Sequence, residues 1–206
     1  PHWLTPEGAL TPGSLPGTVM VRRLRQSGDR VSVLIPFRDQ AALTRRCVQS
    51  LLRQCDGVPL EIVLIDNGST EPEAISLALE FQAQSAVPVI GVRDEQPFNF
   101  SSLNNRARRL CSGTFLLFLN NDIVFESERV IEQLLDPFGF QGVGAVGARL
   151  LYGDGRIQHA GLMAAGGRVH DLQSPAKKMT PGPATAMVTA LEVQEQWSAA
   201  TGACLL

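Results

Sequence analysis

Short apolar runs and longer amphipathic segments alternate along the chain from residue 31 onward. The apolar runs at residues 31–35, 62–65, 87–92 and 115–119 predict buried strands, because they are short and rich in Val, Ile, Leu and Phe. After each run, apolar residues recur three or four positions apart, which predicts a helix. Strands that alternate with helices in this way predict an α/β domain with a mostly parallel sheet.

The first 29 residues lack this alternation. They contain closely spaced prolines and glycines, followed by arginines at Arg22, Arg23 and Arg25. Such a composition is typical of a linker. We therefore predict an N-terminal arm or linker over residues 1–29 and one domain over residues 30–206. We expect this domain to be incomplete at its C-terminal end, because the apolar stretch 203–206 has the pattern of a core strand that continues.

Polar side chains follow three of the predicted strands directly. Asp39 lies just after the first strand, Asp66 at the end of the second and Asp122 after the fourth. The carboxyl ends of parallel strands share one edge of a sheet, and ligands bind along that edge. Turns and helix caps are the alternative explanation, which applies best to Ser69 and Thr70. It explains Asp122 less well, because this carboxylate follows a run of large apolar residues and so places a charge at the edge of the core.

Composition narrows the class of protein. The chain has 206 residues, of which 44% are hydrophobic and 18% charged, as in an ordinary globular domain. A net charge of -2 gives no electrostatic reason to expect a nucleic acid or an anionic membrane as partner. The four cysteines lack close pairing, which favours reduced thiols, and no apolar run is long enough to span a bilayer. We expect a cytoplasmic protein, either free or at the cytoplasmic face of a membrane.

Four segments of the chain are considered together: residues 31–39, residues 61–70, residues 98–106 and residues 116–122. In order and spacing they resemble the family 2 glycosyltransferases of the GT-A fold. The resemblance continues through residues 155–161 and 201–206, so that it covers about residues 30 to 206. It implies a Rossmann-like, mostly parallel sheet flanked by helices, with a small mixed or antiparallel C-terminal part. It also implies an inverting transferase of polysaccharide biosynthesis, which moves a sugar from a nucleoside diphosphate donor to a saccharide or other polar acceptor.

The chemistry of sugar transfer explains why a carboxylate is needed after the fourth strand. Negative charge accumulates on the diphosphate as it leaves, and a divalent cation stabilises that charge. Mg²⁺ needs only one or two protein carboxylates together with the substrate phosphates. Family members usually carry the pattern D-x-D here, whereas this chain has Asn120, Asn121 and Asp122. We predict Asp122 as the ligand of Mg²⁺ or Mn²⁺, with Asn120 as a second candidate that brings no charge.

The resemblance also assigns the nucleotide sugar to a set of residues around the strand ends. These are Pro36, Phe37, Arg38, Asp39, Asp66, Asn67, Ser69, Asn99, Asn105, Arg106 and Asn121. Within this set, Asp66 is expected to accept hydrogen bonds from the base or ribose. Arg106 is expected near the diphosphate, because a guanidinium pairs with two phosphate oxygens at once. The alternative for Arg106 is a solvated helix face that it shares with Arg108 and Arg109.

The sequence gives fewer signals for the residues that bind the acceptor. By resemblance it includes His159, Thr201 and Gly202, and the general base is expected beyond Leu206. Asp171, Glu192 and Glu195 are possible substitutes for the base, without support from a motif. Residues 171–183 have no periodic apolar face, and they are either a loop that orders over bound ligand or an exposed insertion.

Two other functions remain open. A sugar nucleotidyltransferase shares a related sheet, but it needs a glycine-rich phosphate loop after the first strand, and residues 36–39 contain no glycine. A non-catalytic module that binds a nucleotide sugar or a glycan is compatible with the amide at Asn120 and with the unassigned base.

Overall fold

A computed structural model describes residues 2–13, 16–54, 57–160, 162–165, 168–171 and 200–206. The described residues form two compact units. The first, which we call the sheet unit, contains Gln26–Glu132, Gly202–Cys204 and Leu206. The second, which we call the hairpin unit, contains the described residues of Pro1–Arg25 and Gln133–Thr201, together with Leu205.

The described residues contain eleven strands and four α-helices. In chain order these are β1 (Gly8–Pro12), β2 (Val19–Arg23), β3 (Val31–Phe37), α1 (Ala41–Leu52), β4 (Leu60–Asp66), α2 (Pro72–Gln84), β5 (Val89–Arg93), α3 (Phe100–Ala107), β6 (Phe115–Leu119), α4 (Val130–Leu135), β7 (Leu150–Leu151), β8 (Ile157–His159), β9 (Leu162–Ala165), β10 (Arg168–Asp171) and β11 (Cys204–Leu205). Short 3₁₀ helices follow α3 at Arg108–Leu110 and α4 at Asp136–Gly139.

The central sheet has five strands in the order β11-β6-β3-β4-β5. Strand β3 pairs in parallel with β4 and with β6, and β4 pairs in parallel with β5. The predicted α/β architecture with a mostly parallel sheet is therefore confirmed. The chain runs outward from β3 to β4 and β5 and then returns to β6 on the other side of β3. This reversal places a topological switch point between the carboxyl ends of β3 and β6.

Helix α3 covers one face of this sheet. Its residues Leu103 and Ala107 pack with Leu34 from β3 and with Val63 and Ile65 from β4. The intervening strand residues point to the opposite face, because successive side chains of a strand alternate. They are fully buried as well, and they include Val33, Ile35, Ile62 and Leu64. Burial on both faces explains why the sequence shows continuous apolar runs instead of alternation.

A buried carboxylate ties the amino-terminal edge of the sheet together. The Glu61 side chain accepts hydrogen bonds from the Ser32 hydroxyl at 2.5 Å, from the Ser112 amide at 2.5 Å and from the Ser112 hydroxyl at 2.6 Å. The Gly113 amide donates to the Ser32 hydroxyl at 2.8 Å. Burial raises the pKa of Glu61, but these hydrogen bonds outweigh it and hold the pKa below its ordinary value of 4.5. The network links β3, β4 and the segment that enters β6.

Gly113 belongs to this network for a steric reason. A Cβ atom at this position would lie 2.5 Å from the Ser32 hydroxyl and 2.7 Å from the Ser32 amide nitrogen. Only glycine therefore lets the backbone pass close enough to donate to Ser32.

The hairpin unit contains short antiparallel pairs. Strand β1 pairs with β2, β7 with β8, and β9 with β10. The pairs from β7 onward correspond to the small antiparallel C-terminal part that was predicted. Trp3 stacks on Phe140 with ring centroids 5.6 Å apart, and the Asp136 carboxylate accepts a hydrogen bond from the Arg23 amide at 3.2 Å. The hairpin of β1 and β2 lies within the predicted arm, and the domain boundary near residue 30 stays a prediction.

Three cysteines carry free thiols within the described part of the chain. Burial raises the pKa of Cys47 and of Cys204 to about 12, and it also raises the pKa of Cys111. Neutral thiols of this kind behave as small apolar side chains. Among the described helices, none is both long and apolar enough to cross a bilayer. Cys55 lies outside the described residues.

Substitution of Glu61 by Gln tests the buried network. The amide group places donors against donors from Ser112 and Ser32, and we expect it to lower the free energy of unfolding by about 1–3 kcal/mol in urea titrations at pH 7. Glu80→Gln is the matched control, because its ion pair with Arg45 is about one-third exposed on both sides and is worth at most about 1 kcal/mol. Equal losses in the two variants would contradict the assignment.

The same network predicts a pH dependence. Because the folded pKa of Glu61 lies below 4.5, the stabilisation is fully present above pH 4.5 and is lost as the pH falls through the folded pKa. The difference in stability between wild type and Glu61→Gln should therefore shrink at low pH. A difference that grows on acidification would contradict this account.

Candidate functional site

Four parallel strands of the sheet unit end along one edge, where two clefts open. The first, which we call the β5 cleft, has a volume of about 320 Å³. It is lined by Arg38, Asn67, Gly68, Arg93, Glu95, Gln96, Pro97 and Phe98. The second, which we call the β6 cleft, has a volume of about 240 Å³ and lies at the switch point. It is lined by Pro36, Phe37, Arg38, Asn67, Phe98, Phe100, Asn120 and Asn121.

Asp39 fastens the loop after β3 to the loop after β4. One of its carboxylate oxygens accepts hydrogen bonds from the backbone amides of Thr70 at 2.7 Å and Glu71 at 2.9 Å, while its own amide donates to the Ser69 hydroxyl at 2.7 Å. The amides of Glu71 and Thr70 hold the pKa of Asp39 below its usual range. Asp39 and Gln40 both have positive φ angles, of 52° and 50°. Such backbone conformations are uncommon outside glycine and persist where surrounding contacts impose them.

Ser69 and Thr70 therefore serve this connection between loops and do not cap the next helix. Helix α2 begins at Pro72, its N-cap residue is Glu71, and the cap makes no side-chain hydrogen bond. The Asp66 carboxylate stabilises the same turn by accepting a hydrogen bond from the Ser69 amide at 2.7 Å.

Asp66 is buried and already holds two partners. Its second carboxylate oxygen accepts a hydrogen bond from Arg93 at 2.6 Å, and Arg93 also donates to the Ser69 carbonyl at 3.1 Å and to Glu95 at 3.0 Å. The strand register explains this arrangement, because Asp66 in β4 lies directly opposite Arg93 in β5. A carboxylate has about four lone-pair sites, and these two hydrogen bonds occupy two of them. The predicted hydrogen bond from Asp66 to a nucleoside stays a prediction.

The loop after β5 is held at both ends. The side-chain amide of Asn67 donates to the carbonyls of Asp94 and Gln96, both at 2.9 Å. At the other end, the Asn99 side chain accepts a hydrogen bond from the Ser102 amide at 2.9 Å and so caps helix α3. Phe98 lies between these two anchors and is 68% exposed.

Two arginines at this edge differ in how far they are engaged. Arg106 binds the Asp94 carboxylate through two nitrogens, at 2.7 and 2.5 Å, and donates to the Ser102 hydroxyl at 2.6 Å. The Gln96 amide and the Arg106 guanidinium hold the pKa of Asp94 below its usual range. Arg38, by contrast, forms no hydrogen bond or ion pair with any residue that the structure describes, although its charge also lowers the pKa of Asp39. Arg38 lines both clefts, and its guanidinium is thus available to pair with an anionic ligand.

The segment after β6 presents Asn120, Asn121 and Asp122. The Asn120 amide donates to the Ala203 carbonyl at 2.9 Å, which ties this segment to the approach to β11. The Asn121 side chain donates to the Thr44 hydroxyl on α1 at 3.0 Å. The Asp122 side chain is exposed and makes no hydrogen bond or ion pair within the described ranges. Among the described residues, no cluster of three or more His, Cys, Asp or Glu side chains forms a complete protein site for a metal.

The residues predicted for the acceptor side fall into two places. In the hairpin unit, the Thr201 amide donates to a ring nitrogen of the buried His159 at 3.3 Å. In the sheet unit, a Cβ atom at Gly202 would lie 3.6 Å from the Phe100 ring, which lines the β6 cleft. Asn105 is exposed on α3. Glu192, Glu195 and most of the predicted loop, residues 172–183, lie outside the described residues, as does Gly161 of the segment 155–161.

Several residues at this edge were not predicted from the sequence. They are Arg93, Asp94, Phe98, Phe100 and Thr44. Arg93 is the last residue of β5 and Asp94 follows it. Both could have been predicted by the rule that ligand-binding residues lie at the carboxyl ends of parallel strands. Asn104 was also missed; it is buried, its amide nitrogen donates to the Phe100 carbonyl at 2.9 Å, and its side-chain oxygen has no partner in the described part of the chain.

The sequence matches the model of the family described as glycosyl transferase family 2 over residues 32–184. The chain belongs to glycosyl transferase family 2. This family membership confirms the predicted resemblance. The strand ends described above therefore form the candidate functional site of a family 2 chain.

Similar proteins include two much longer bacterial chains. The O-antigen biosynthesis protein RfbC of Myxococcus xanthus is 33% identical over 177 residues, which cover 86% of this chain and 14% of the relative. The uncharacterized protein y4gI of Sinorhizobium fredii is 32% identical over 176 residues, with coverage of 85% and 19%. This chain thus spans less than one-fifth of either relative.

A solved structure shares the fold. The mannosyltransferase PcManGT from Pyrobaculum calidifontis, determined in complex with GDP-Man and Mn²⁺, matches with a TM-score of 0.54 and 18% identity. The match covers 60% of this chain and 36% of that one. This similarity confirms the GT-A fold of the family 2 chain.

Amide exchange tests the role of Asp39 as a connection between the loops. We expect Asp39→Ala to increase the hydrogen-exchange rates of the Thr70 and Glu71 amides, because both donate to the same lost oxygen. Asp39→Asn is the matched control: it keeps that oxygen and tolerates a positive φ angle, so it should retain most of the protection. The amides of Ser112 and Gly113 at the opposite edge should not change. Unaltered exchange in Asp39→Ala would show that the connection is not formed.

Proposed function

We propose that this chain forms the donor-binding part of a glycosyltransferase that moves a sugar from a nucleoside diphosphate sugar to a saccharide or other polar acceptor. The observation that carries the proposal is the β6 cleft, where Asn120 and Asn121 meet the loop that contains Arg38 at the switch point of a family 2 chain. The name of the relative RfbC supports a place in polysaccharide biosynthesis.

Asp122 is the proposed anchor of a divalent cation, Mg²⁺ or Mn²⁺. Its carboxylate is exposed and uncommitted among the described residues, and Asn120, two residues before it, carries an amide oxygen that we propose as a second ligand. This donor set fits a hard cation that takes its remaining ligands from water and substrate phosphates. When bound, such a cation stabilises the negative charge that develops on the leaving diphosphate. The Mn²⁺ in the PcManGT complex supports the proposal.

The remaining residues divide into those proposed to touch the donor and those that hold the site in place. Pro36 and Phe37 form the wall of the β6 cleft, with Asn67 and Asn121 at its polar side. Arg38 has a guanidinium free to pair with phosphate oxygens, whereas Arg106 would first have to leave Asp94.

The positioning residues act through the backbone. Asp39 and Ser69 connect two strand-end loops, and Asn99 starts α3. Asp66 combines both roles, because it orders the turn at Ser69 and keeps lone pairs for base or ribose. Asn105 is proposed to face the donor from α3.

Inversion requires a single displacement at the anomeric carbon. The acceptor oxygen forms its bond to that carbon as the bond to the diphosphate breaks, and the hydroxyl proton passes to a general base. His159, Thr201 and Gly202 remain proposed for the acceptor side. No described residue is assigned as the base.

A non-catalytic module that binds a nucleotide sugar is the second candidate. It is favoured by Asn120, because an amide stands where the family usually has a carboxylate, and this lowers the negative charge available to a metal. Transfer of a radiolabelled sugar to a panel of saccharide acceptors distinguishes the two functions. Binding of the donor without transfer to any acceptor would favour the module.

Calorimetric titration of UDP, GDP and dTDP sugars, with and without Mn²⁺, tests the donor site. We expect one donor class to bind more tightly with Mn²⁺, and Asp122→Ala to reduce that gain by about tenfold or more, because the carboxylate anchors the cation. Glu126→Ala removes another exposed carboxylate from the same segment and should leave the gain unchanged. An Mn²⁺ effect that survives Asp122→Ala, or no binding of any donor, would overturn the assignment.

A further inference from the structure

Phe98 is a solvent-exposed aromatic residue at the junction of the two clefts. The residue is 68% exposed, and it lines both the β5 cleft and the β6 cleft. Its position in the lining of both clefts, beside polar side chains, is what points to a ligand, because binding sites combine an apolar or aromatic surface with a few polar groups.

Hydrogen bonds hold the chain on both sides of Phe98. Asn67 binds the carbonyls of Asp94 and Gln96 before it, and Asn99 directly after it caps helix α3. These anchors fix the backbone on both sides, so the chain presents the ring to the clefts in an ordered segment. A preformed aromatic surface loses little conformational entropy when a flat ligand stacks on it.

The two clefts differ in charge and in place. In the β5 cleft, Arg93 is paired with Asp66 and Glu95, so that its charge is balanced and polar groups remain along the walls. The β6 cleft is bordered by Asn120 and Asn121, next to the carboxylate of Asp122. The clefts lie across the ends of β6, β3, β4 and β5, and three strand spacings amount to roughly 14 Å. An elongated ligand can therefore reach across both, with its anionic end near β6.

We propose that Phe98 is the stacking platform for the nucleobase of the donor, whose polar edge faces the β5 cleft. This inference rests on the proposed donor-binding function and adds to it the side chain on which the base stacks. A planar heteroaromatic ring needs an aromatic face for stacking and hydrogen-bonding groups around its edge, and the β5 cleft offers both. Arg38 lines both clefts and has no hydrogen-bond or ion-pair partner among the described residues, which places a cation where base and ribose give way to diphosphate.

Binding of nucleotide fragments to Phe98 variants tests this proposal. The probes are UDP, GDP and dTDP, the nucleoside of the one that binds wild type most tightly, and inorganic pyrophosphate, all with Mn²⁺. We expect Phe98→Ala to weaken binding of the nucleoside diphosphate and the nucleoside by about fivefold to a hundredfold and to leave pyrophosphate binding unchanged. Leu79→Ala is the matched control, because Leu79 is equally exposed, at 69%, on helix α2.

Phe98→Trp provides a readout that a merely structural role would not give. The indole keeps a stacking face, so this variant should retain nucleotide affinity, and its added fluorescence should be quenched by the nucleoside diphosphate but not by pyrophosphate. Wild type titrated in parallel corrects for the native tryptophans.

The outcomes separate this inference from the proposed function. If wild type binds no nucleotide, the proposed function fails, and this inference fails with it. If wild type binds but Phe98→Ala binds equally well, or loses pyrophosphate to the same extent, only the stacking assignment is overturned. Quenching of Phe98→Trp by free monosaccharides and not by nucleotides would show that the ring accepts a sugar, and this result would also overturn it.

Discussion

Strand β3 pairs in parallel with β4 on one side and with β6 on the other, and the site depends on this double pairing. Parallel strands deliver their carboxyl ends to one edge, so residues distant in sequence become neighbours without any contact between them along the chain. The reversal at β3 then opens a crevice between two of those ends. Arg38 and Asn120 both line that crevice for this reason. Because backbone pairing sets this geometry, the fold does not fix the identity of the side chains at this edge.

Carboxylates secure the sheet at both ends. Glu61 collects donors at the amino-terminal edge, while Asp39 and Asp66 each accept backbone amides at the carboxyl edge. A carboxylate that accepts several amides is a strong local constraint, since each of these hydrogen bonds is charge-assisted. Arg38, which has no hydrogen-bond or ion-pair partner among the described residues, directly precedes Asp39 and therefore lies in a loop that these hydrogen bonds hold. Preorganisation of this kind lowers the entropic cost of binding a charged ligand.

The sequence predicts the framework better than the side-chain arrangement. Strands such as β4 were found because all seven of its residues are buried, which leaves a continuous apolar run in the sequence. The β1–β2 hairpin was missed because its prolines and glycines have the composition of a linker. The positions of Asp66 and Asp122 follow from strand ends alone. The pairing of Arg106 with Asp94 could not be predicted, because it depends on how a loop folds back across 12 residues. The exposure of Phe98 could not be predicted from the sequence either, since aromatic residues are expected to be buried.

The central claim is that Asp122 holds a cation and Arg38 a nucleotide at one edge of the sheet. Paramagnetic relaxation in NMR spectra tests it most directly, with Mn²⁺ and a bound nucleoside diphosphate compared against Mg²⁺ as the diamagnetic reference. We predict that the amide signals of residues 120–123 broaden beyond detection, that the signal of Arg38 weakens, and that the signals of Ser112 and Gly113 at the opposite edge persist. Unchanged signals at residues 120–123, together with broadening elsewhere in the chain, would contradict the account.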